Sequence, residues 1–583
     1  MSWTHHAPSR KSYGVQHRWK GDPTMKSPKE RLAGIRTQRS EIENHLIDEL
    51  RAQRLDRRGF ITHAARLGMG IPLAGFIATA CAERDSLETA DEPNTAAPQQ
   101  GGTLRVGGQT PSGALNPLLV GDQGGLTVLG QTGEYLAWSD GELALQPRLA
   151  AKWTPDEDGS VWTFNIRQGV TFHDGRPLTA RDVTATFDRM ANPETGGNAL
   201  SALTGVISPG SAVATDDYTV EFNLEAPNGN FPYLTSSDNY NAIIIPADDD
   251  PAEWPSTFIG TGPWKLDQSR PDEGFTLVRY PDYWGKQPVA EKIDYTFYGS
   301  EQAQILALQG NEVDVLVQFS VSGGKALLTN PDVVTTELRS SAHRQVHMRT
   351  DTDQFADKRV RRAMALLLNR TALVNGLLDT KCEVGNDSPF APVFPSTAEG
   401  VAQREQNIDE AKKLLDAEGM ADGFSVTLET WTNFEMPDYA QLIQDNARAA
   451  GIRVNLSITD AGTYYGDAVY GNSRWLDSTM GITEYGHRGV PNVFLGAPLT
   501  SEGTWNGAHF RSEEYDGLVR DYVAALEPEA QTTNAKKIQE LLLDESPILF
   551  SYFYFFLSGA GSYVSGVETT AMGHADVSRA GII

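Results

Sequence analysis

Apolar and polar positions alternate strongly around Trp153 and again over 161–166 (VWTFNI), with the turn-forming PDEDGS between them, and this predicts a β-hairpin. Asp156, Glu157 and Asp158 in the tip raise a calcium loop. That template needs alternate ligands over about twelve residues and a closing Glu, so the tip reads as a plain turn. In TFHDGRPLTARDVTATFDRM the period then changes. A strand end and a turn at Asp174-Gly175 lead into a helix with Val183, Phe187 and Met190 on one face. Thr179 is placed to cap it, with Asp182 reaching back from the third helical position.

The clearest unit lies further on. FSVTLET alternates at Phe424, Val426 and Leu428. Pro437 opens a helix with Tyr439, Leu442, Ile443 and Ala447 inward, and Gly451 closes it. IRVNLSI then alternates at Ile452, Val454, Leu456 and Ile458. Strand, helix and strand at this spacing predict a parallel crossover. Ligands in such sheets sit beyond the carboxyl ends of strands, which points at Trp431, Thr432 and Asn433. Further helices are expected over Lys358–Asn369, Asp409–Glu418 (capped by Asn407, stopped by Gly419) and Ala535–Asp544. PILFSYFYFFL, near the end, is too short to cross a bilayer and too β-prone for a surface helix. It reads as one buried strand.

The chain has 583 residues. The stretch from Gly102 to Ile583 is too long for one core and implies two or three domains. What precedes it is different. Residues 57–81 combine paired Arg57 and Arg58, the following Phe60 and Ile61, a short apolar run from about Leu67 to Ala80, and a small-residue end at Ala78-Thr79-Ala80-Cys81. The run is too short to span a membrane. The layout is that of an export signal, similar to the twin-arginine type, with Cys81 at a possible lipidation site. Segment 82–100 is polar and reads as a flexible tether. Residues 1–56 form an N-terminal extension set apart from the fold, in which SEIENHLIDELR has apolar residues at helical spacing.

Charge sharpens this division. Residues 1–80 hold 14 Lys and Arg against 7 Asp and Glu, while the whole chain carries −27, so the remainder carries −34. Such an acidic body is repelled by phosphate backbones and anionic membrane surfaces, which argues against nucleic-acid binding. With only two cysteines, Cys81 and Cys382, no disulfide framework is expected once Cys81 is lipidated or removed.

Candidate chemistry is sparse. There is no Cys-x-x-Cys, His-Glu-x-x-His or Walker loop, and no Gly-x-Ser-x-Gly elbow between strand and helix. GTGPWKL at 260–266 has part of a glycine fingerprint, but Pro263 removes an amide donor a phosphate would need. His173 in TFHDG reads as a turn support. No enzyme, metal site or cofactor is therefore expected.

Taken together, LAAKWTPDEDGSVWTFNIRQGVTFHDGRPLTARDVTATFDRM (149–190), GGTLRVGGQTPSGALNPLL, FIGTGPWKL, RYPDYWGKQP, ALQGNEVDV, FADKRVRRAMALLLNR, NGAHFRSEEYDGLV and AKKIQELLLDESPILFSYFY resemble, in order, the extracellular solute-binding proteins of peptide- and nickel-type ABC importers, the oligopeptide/dipeptide-binding family 5. The resemblance implies an α/β, bilobal periplasmic-binding-protein-like fold, class II, of the large cluster with an extra subdomain in the first lobe. Lobe I would comprise 101–146, 260–345 and 556–583, the extra subdomain 147–259, and lobe II 346–555. The chain would cross between lobes near Arg344 to Thr350 and near Tyr552 to Phe556. It also implies a monomer in the periplasm or another extracytoplasmic space, attached to a membrane at most by a lipid. That monomer would close by hinge motion on a small-molecule or short-peptide ligand and dock on an ABC permease with its ATPase subunits.

In peptide-binding relatives a stretch similar to W…D-Y-P-D-P supplies an acid for the ligand's amino group. The comparable region here is GITEYGHRGVPNVFLGAPL, 481–499. Glu484 stands in for the first acid, while His487 and Arg488 occupy the place of the second acid and its proline. Arg488 would meet a ligand carboxylate or phosphonate, or pair with a protein carboxylate. Arg349 at the crossing would do the same, or bridge to Asp351 or Asp353. Tyr135, Trp431, Tyr485 and Trp505 are candidate aromatic walls, and Asn506 a candidate hydrogen-bonder to a ligand backbone. The expected ligand carries both amino and acidic groups, such as a di- or tripeptide. A metal chelate, an opine or an oligosaccharide is the alternative in the same transporter class. A secreted hydrolase or a peptide-binding chaperone are readings from other classes.

Overall fold

The computed structural model describes residues 97–583 except 112, 114, 271 and 571–575. The export signal, Cys81, the N-terminal extension and most of the tether lie outside the described residues. Two large mixed sheets dominate. The first has seven strands in the order Val333–Leu338, Phe556–Gly561, Val315–Phe319, Thr103–Gln109, Lys292–Tyr298, Gly274–Arg279 and Trp264–Arg270. Its centre is parallel, Thr103–Gln109 running alongside both Lys292–Tyr298 and Val315–Phe319. The second has six strands, in the order Cys382–Val384, Ile548–Tyr554, His343–Met348, Met480–Tyr485, Ser425–Trp431 and Arg453–Thr459. The two lobes are built on these sheets.

The crossover unit is present as expected from its periodicity. Ser425–Trp431 pairs in parallel with Arg453–Thr459, and the helix Met436–Ala447 between them buries Tyr439, Ala440, Ile443 and Ala447. Gly451 at φ 76° ends the connection in the left-handed region, where a side chain would be strained.

A separate antiparallel sheet of four strands holds Ala150–Pro155, Val161–Ile166, Thr219–Asn223 and Ala212–Asp216. Its first two strands form the expected hairpin, whose tip is tied by Asp156 accepting from the Gly159 and Val161 amides. The helix Ala180–Ala191 carries the capping box, the Asp182 carboxylate accepting from the Thr179 amide at 2.8 Å. Val183, Phe187 and Met190 are buried. The His173 ring bonds the carbonyls of Phe258 and Gly262 at 3.2 and 3.0 Å.

Three expectations need correction. PILFSYFYFFL is two strands, not one: Ile548–Tyr554 lies in the six-stranded sheet and Phe556–Gly561 in the seven-stranded sheet, and the chain changes sheets at Phe555. Both strands are covered on both faces, so the hydrophobic run continues through the crossing unbroken. The other crossing is at 339–342, earlier than expected, because His343, Arg344 and Gln345 already belong to the strand His343–Met348 of the second sheet. The two crossings are stitched together: the Tyr554 amide donates to Ala342 O at 3.0 Å and Ser340 Oγ to Tyr554 O at 2.6 Å. Finally, the last long helix runs Pro528–Glu545, almost two turns earlier than expected. Its first turns face outward and carry no apolar stripe.

Candidate functional site: a cleft between the two large sheets

A cavity of about 1120 Å³ lies between the sheets. Gln109, Gln123, Glu301, Gln304 and Gln318 line it from the seven-stranded side. From the six-stranded side come Arg344, Trp431, Phe434, Glu435, Glu484 and Tyr554. The parallel unit delivers the loop 431–435 here, at the carboxyl end of its first strand, where open α/β sheets place ligands.

The centre of the six-stranded wall is an ion-pair cluster. Arg344 and Glu484 are direct partners on the antiparallel strands His343–Met348 and Met480–Tyr485. The side chains of such cross-strand partners stand close enough to interact. Arg344 Nη1 is 2.9 Å from Glu484 Oε2, and Nε is 3.1 Å from Glu435 Oε1. These are ion-pair distances, but neither N–H is aimed along a hydrogen bond, so the attraction is Coulombic. The guanidinium carbon stands 4.5 Å from the Tyr554 ring centroid and 6.0 Å from that of Phe434. Asn433 Nδ2 donates to Glu484 Oε2 at 3.0 Å, and Tyr552 Oη to Glu435 Oε1 at 2.9 Å. Arg344 is 2% exposed. Burial works against its charge, but Glu435, Tyr554 and Glu484 outweigh it and hold the guanidinium protonated. Its charge is thereby countered by two carboxylates, of which Glu484 is 31% exposed to the cavity.

Beside this cluster, His487 and Arg488 reach the cavity from the segment after Met480–Tyr485. His487 Nδ1 accepts from the Ser341 amide at 3.1 Å, so the ring proton sits on Nε2, 3.8 Å from Asp238 Oδ1. Burial drives the imidazole pKa down to about 3, with help from Arg488. Burial pushes the Asp238 carboxyl up to about 7, against the opposing pulls of Ser139 and Arg488. Arg488 Nη1 donates to the carbonyl of His487 at 2.7 Å, and its guanidinium lies 5.5 Å from the Tyr240 ring centroid.

Of the residues singled out from the sequence, Trp431, Thr432, Asn433, Glu484, His487 and Arg488 line this cavity. The other five do not. Arg349 is held at Asp351 Oδ1, 2.7 Å away, and donates to the carbonyl of Asp477 at 2.9 Å. Of its two expected arrangements it takes the structural bridge. Tyr135 is buried and donates to Tyr240 O at 3.1 Å, beside a separate cavity of about 240 Å³. Tyr485 stacks on His343 behind the sheet, and Trp505 packs against Trp475 and Tyr485. Asn506 is occupied by its own loop, donating to Thr500 O and Phe510 O and accepting from the Phe510 amide.

Arg344, Phe434, Glu435, Gln304 and Tyr554 were not singled out as ligand residues. Arg344 lies in HRQVHM, a strand buried along its whole length, so no alternation separates its cleft-facing side chains from the rest. The cue that was available is the pairing of that strand with GITEY, which sets Arg344 against Glu484.

Among the described residues, no group of three or more His, Cys, Asp or Glu could hold a metal ion, and no helix is long and apolar enough to cross a membrane.

Comparison with known proteins agrees with this architecture. The pattern defining the bacterial extracellular solute-binding proteins, family 5 Middle, matches residues 144–486. The dipeptide-binding protein DppE of Bacillus subtilis (strain 168) is 25% identical over 467 residues, covering 74% of this chain and 83% of its own. The di/tripeptide-binding protein 2 of Pseudomonas aeruginosa (strain UCBPP-PA14) is 24% identical over 474 residues, covering 76% and 87%. Among solved structures, HbpA2 from Haemophilus parasuis superposes with a TM-score of 0.72 at 21% identity, covering 83% of this chain and 100% of that one. DppA from Helicobacter pylori, in complex with the peptide STSA, gives 0.68 at 22%, covering 83% and 98%. At these identities the structures speak for the fold.

Proposed function

Because the chain belongs to the family 5 bacterial extracellular solute-binding proteins, we propose that it captures a short peptide or peptide-like solute in the cleft and delivers it to the permease of an ABC importer. One observation carries the reading: a cavity of about 1120 Å³ is walled by both sheets, and among the described residues two chain crossings, at 339–342 and Phe555, join those sheets. A solute in that space touches both lobes, so binding favours the closed form over the open one. Peptide as the solute class is supported by the names of the relatives at 24–25% identity. The protein acts as a carrier and performs no chemistry on its cargo.

The reading extends to export. Residues 57–81 act as a twin-arginine-type signal, the mature chain works as a monomer outside the cytoplasm, and Cys81 becomes its lipid attachment point.

Isothermal titration of the purified mature protein with di- and tripeptides tests the solute class. Saturable binding of peptides with one site per chain is the expected result. Binding of oligosaccharides, opines or metal chelates with none of peptides would overturn it. Mass spectrometry of the N-terminus of protein recovered from membranes tests the export step: a diacylated or triacylated Cys81 is expected, and a cytoplasmic chain retaining Met1 or Met25 would contradict it.

A further inference from the structure

Resting on that reading, we infer that the cleft selects solutes with a net positive charge, taking basic peptides over their neutral and acidic counterparts. The sequence, with Arg349 and Arg488 as candidate ligand contacts, suggested an anionic group on the ligand. The geometry reverses the balance. Arg349 is spent on Asp351. Arg344 is matched by Glu435 and Glu484 together, one cation against two carboxylates. Arg488 also faces Asp238 and bonds its own backbone. His487 is held neutral by burial.

The opposite wall adds acid and no base. Asp122 caps the helix Gln123–Thr132, accepting from the Gly125 amide at 3.0 Å. Glu301 opens the helix Glu301–Gln309 and accepts from Ser320 Oγ at 3.0 Å. A helix N-terminus contributes roughly half a positive charge, which a whole carboxylate more than offsets. The charged lining is therefore Asp122, Glu301, Glu435 and Glu484 against Arg344 and Arg488.

Two further features point to a donor-bearing cation. Gln304, 3% exposed on the cavity wall, has an Oε1 acceptor with no hydrogen-bond partner. A buried acceptor left unpaired is costly and is relieved by a ligand N–H. Phe434 projects into the same cavity, 53% exposed and at φ 40°. A bulky non-glycine residue in that region is strained. Its ring face attracts an ammonium or guanidinium.

Titration with Ala-Lys-Ala, Ala-Ala-Ala and Ala-Glu-Ala at low and high salt is the test. The Lys peptide is expected to bind about tenfold tighter than the Ala peptide, and the Glu peptide weaker still. The Lys advantage should shrink in 0.5 M salt as screening sets in. Glu301→Gln should narrow the Lys-to-Ala ratio. Phe434→Ala, at an exposed site that threatens no core, should narrow it as well. Equal binding of all three peptides, or tighter binding of the Glu peptide, would overturn the charge selectivity and leave the peptide-carrier reading standing. Binding of none of them would sink both.

Discussion

Arg344 and Glu484 face each other across two antiparallel strands, with Nη1 and Oε2 2.9 Å apart, at the wall of the interlobe cleft. The arrangement binds the cleft to the fold's stability, because Arg344 also neutralises Glu435, which is almost fully buried among Tyr552, Tyr554 and Phe434. Removing one member of a buried pair strands the other charge in a poor dielectric. Arg344→Met is therefore expected to cost about 3–5 kcal/mol in urea unfolding, and Arg344→Met with Glu435→Gln to recover much of that. Glu484→Gln should cost no more than about 1 kcal/mol, because its carboxylate is partly hydrated. A single Arg344 variant as stable as wild type would show that the cluster contributes little.

A glycine sets how closely the small four-stranded module approaches the six-stranded lobe. The Gly229 amide donates to Val523 O at 2.8 Å, and a Cβ added there would stand 2.1 Å from Ala525 O. Asn230 Nδ2 donates to Asn492 Oδ1, and Gln531 Nε2 to Asn230 Oδ1, both at 3.0 Å. Gly229→Ala is expected to break this contact and favour the open arrangement. It should increase the radius of gyration in small-angle scattering and weaken solute binding about tenfold. Gly496→Ala, whose methyl would meet nothing within 4 Å, should change neither. Unchanged scattering in Gly229→Ala would show that this contact has no part in closure.

Much of the fold is legible in local pattern, and the site far less so. The hairpin at 150–166, the capping box at Thr179 and the crossover at 425–459 follow from alternation, turn chemistry and helix signals that act over a dozen residues. Trp431 was reachable because the carboxyl end of a parallel strand has a generic role. Arg344 was not, since its strand is buried throughout and only sheet pairing over 140 positions reveals its partner. Arg349 and Arg488 look alike in sequence, each able to meet an anionic group on a ligand or a carboxylate of the protein. Arg349 has an acid two positions away that its own strand end brings to it, whereas Arg488 lines the cleft beside the crossing at 339–342, its amide donating to Ser341 Oγ. The break at Phe555 was hidden because the apolar run continues through it from one buried strand into the next, so hydropathy carries no mark of it.

The cysteine thiol at Cys382 is expected to be unreactive. Burial pushes its pKa up to about 12, with Glu435 and Glu383 adding to the shift, and the thiolate is the attacking species. Iodoacetamide at pH 8 should leave Cys382 unmodified in the native protein, by peptide mass spectrometry, and modify it fully in urea. Rapid native labelling would mean that the strand Cys382–Val384 at the sheet edge opens readily.

The pair Asp238 and His487 should hold stability level across mildly acidic solution. Asp238 has a carboxyl raised from 3.8 to about 7 by burial, so the folded state binds a proton the unfolded state releases. Its contribution is fully present below 3.8 and is lost progressively as pH rises from there to about 7. His487 is shifted the other way, from 6.5 to about 3, again by burial. Its contribution is present above 6.5 and is lost as pH falls through the interval down to 3. Between about pH 3.8 and 6.5 the two slopes oppose and cancel, with Asp238 protonated and His487 neutral in the folded state. Thermal unfolding across pH 4–9 should show this as a difference between wild type and single variants. Asp238→Asn should make stability rise with pH up to about 6.5, and His487→Gln should make it fall between about pH 4 and 7. Because the two residues come from opposite sides of the cleft, the same pH dependence should appear in solute affinity. Wild-type and Asp238→Asn curves that run parallel between about pH 4 and 7 would show that the carboxyl titrates at its ordinary value and has no place in this contact.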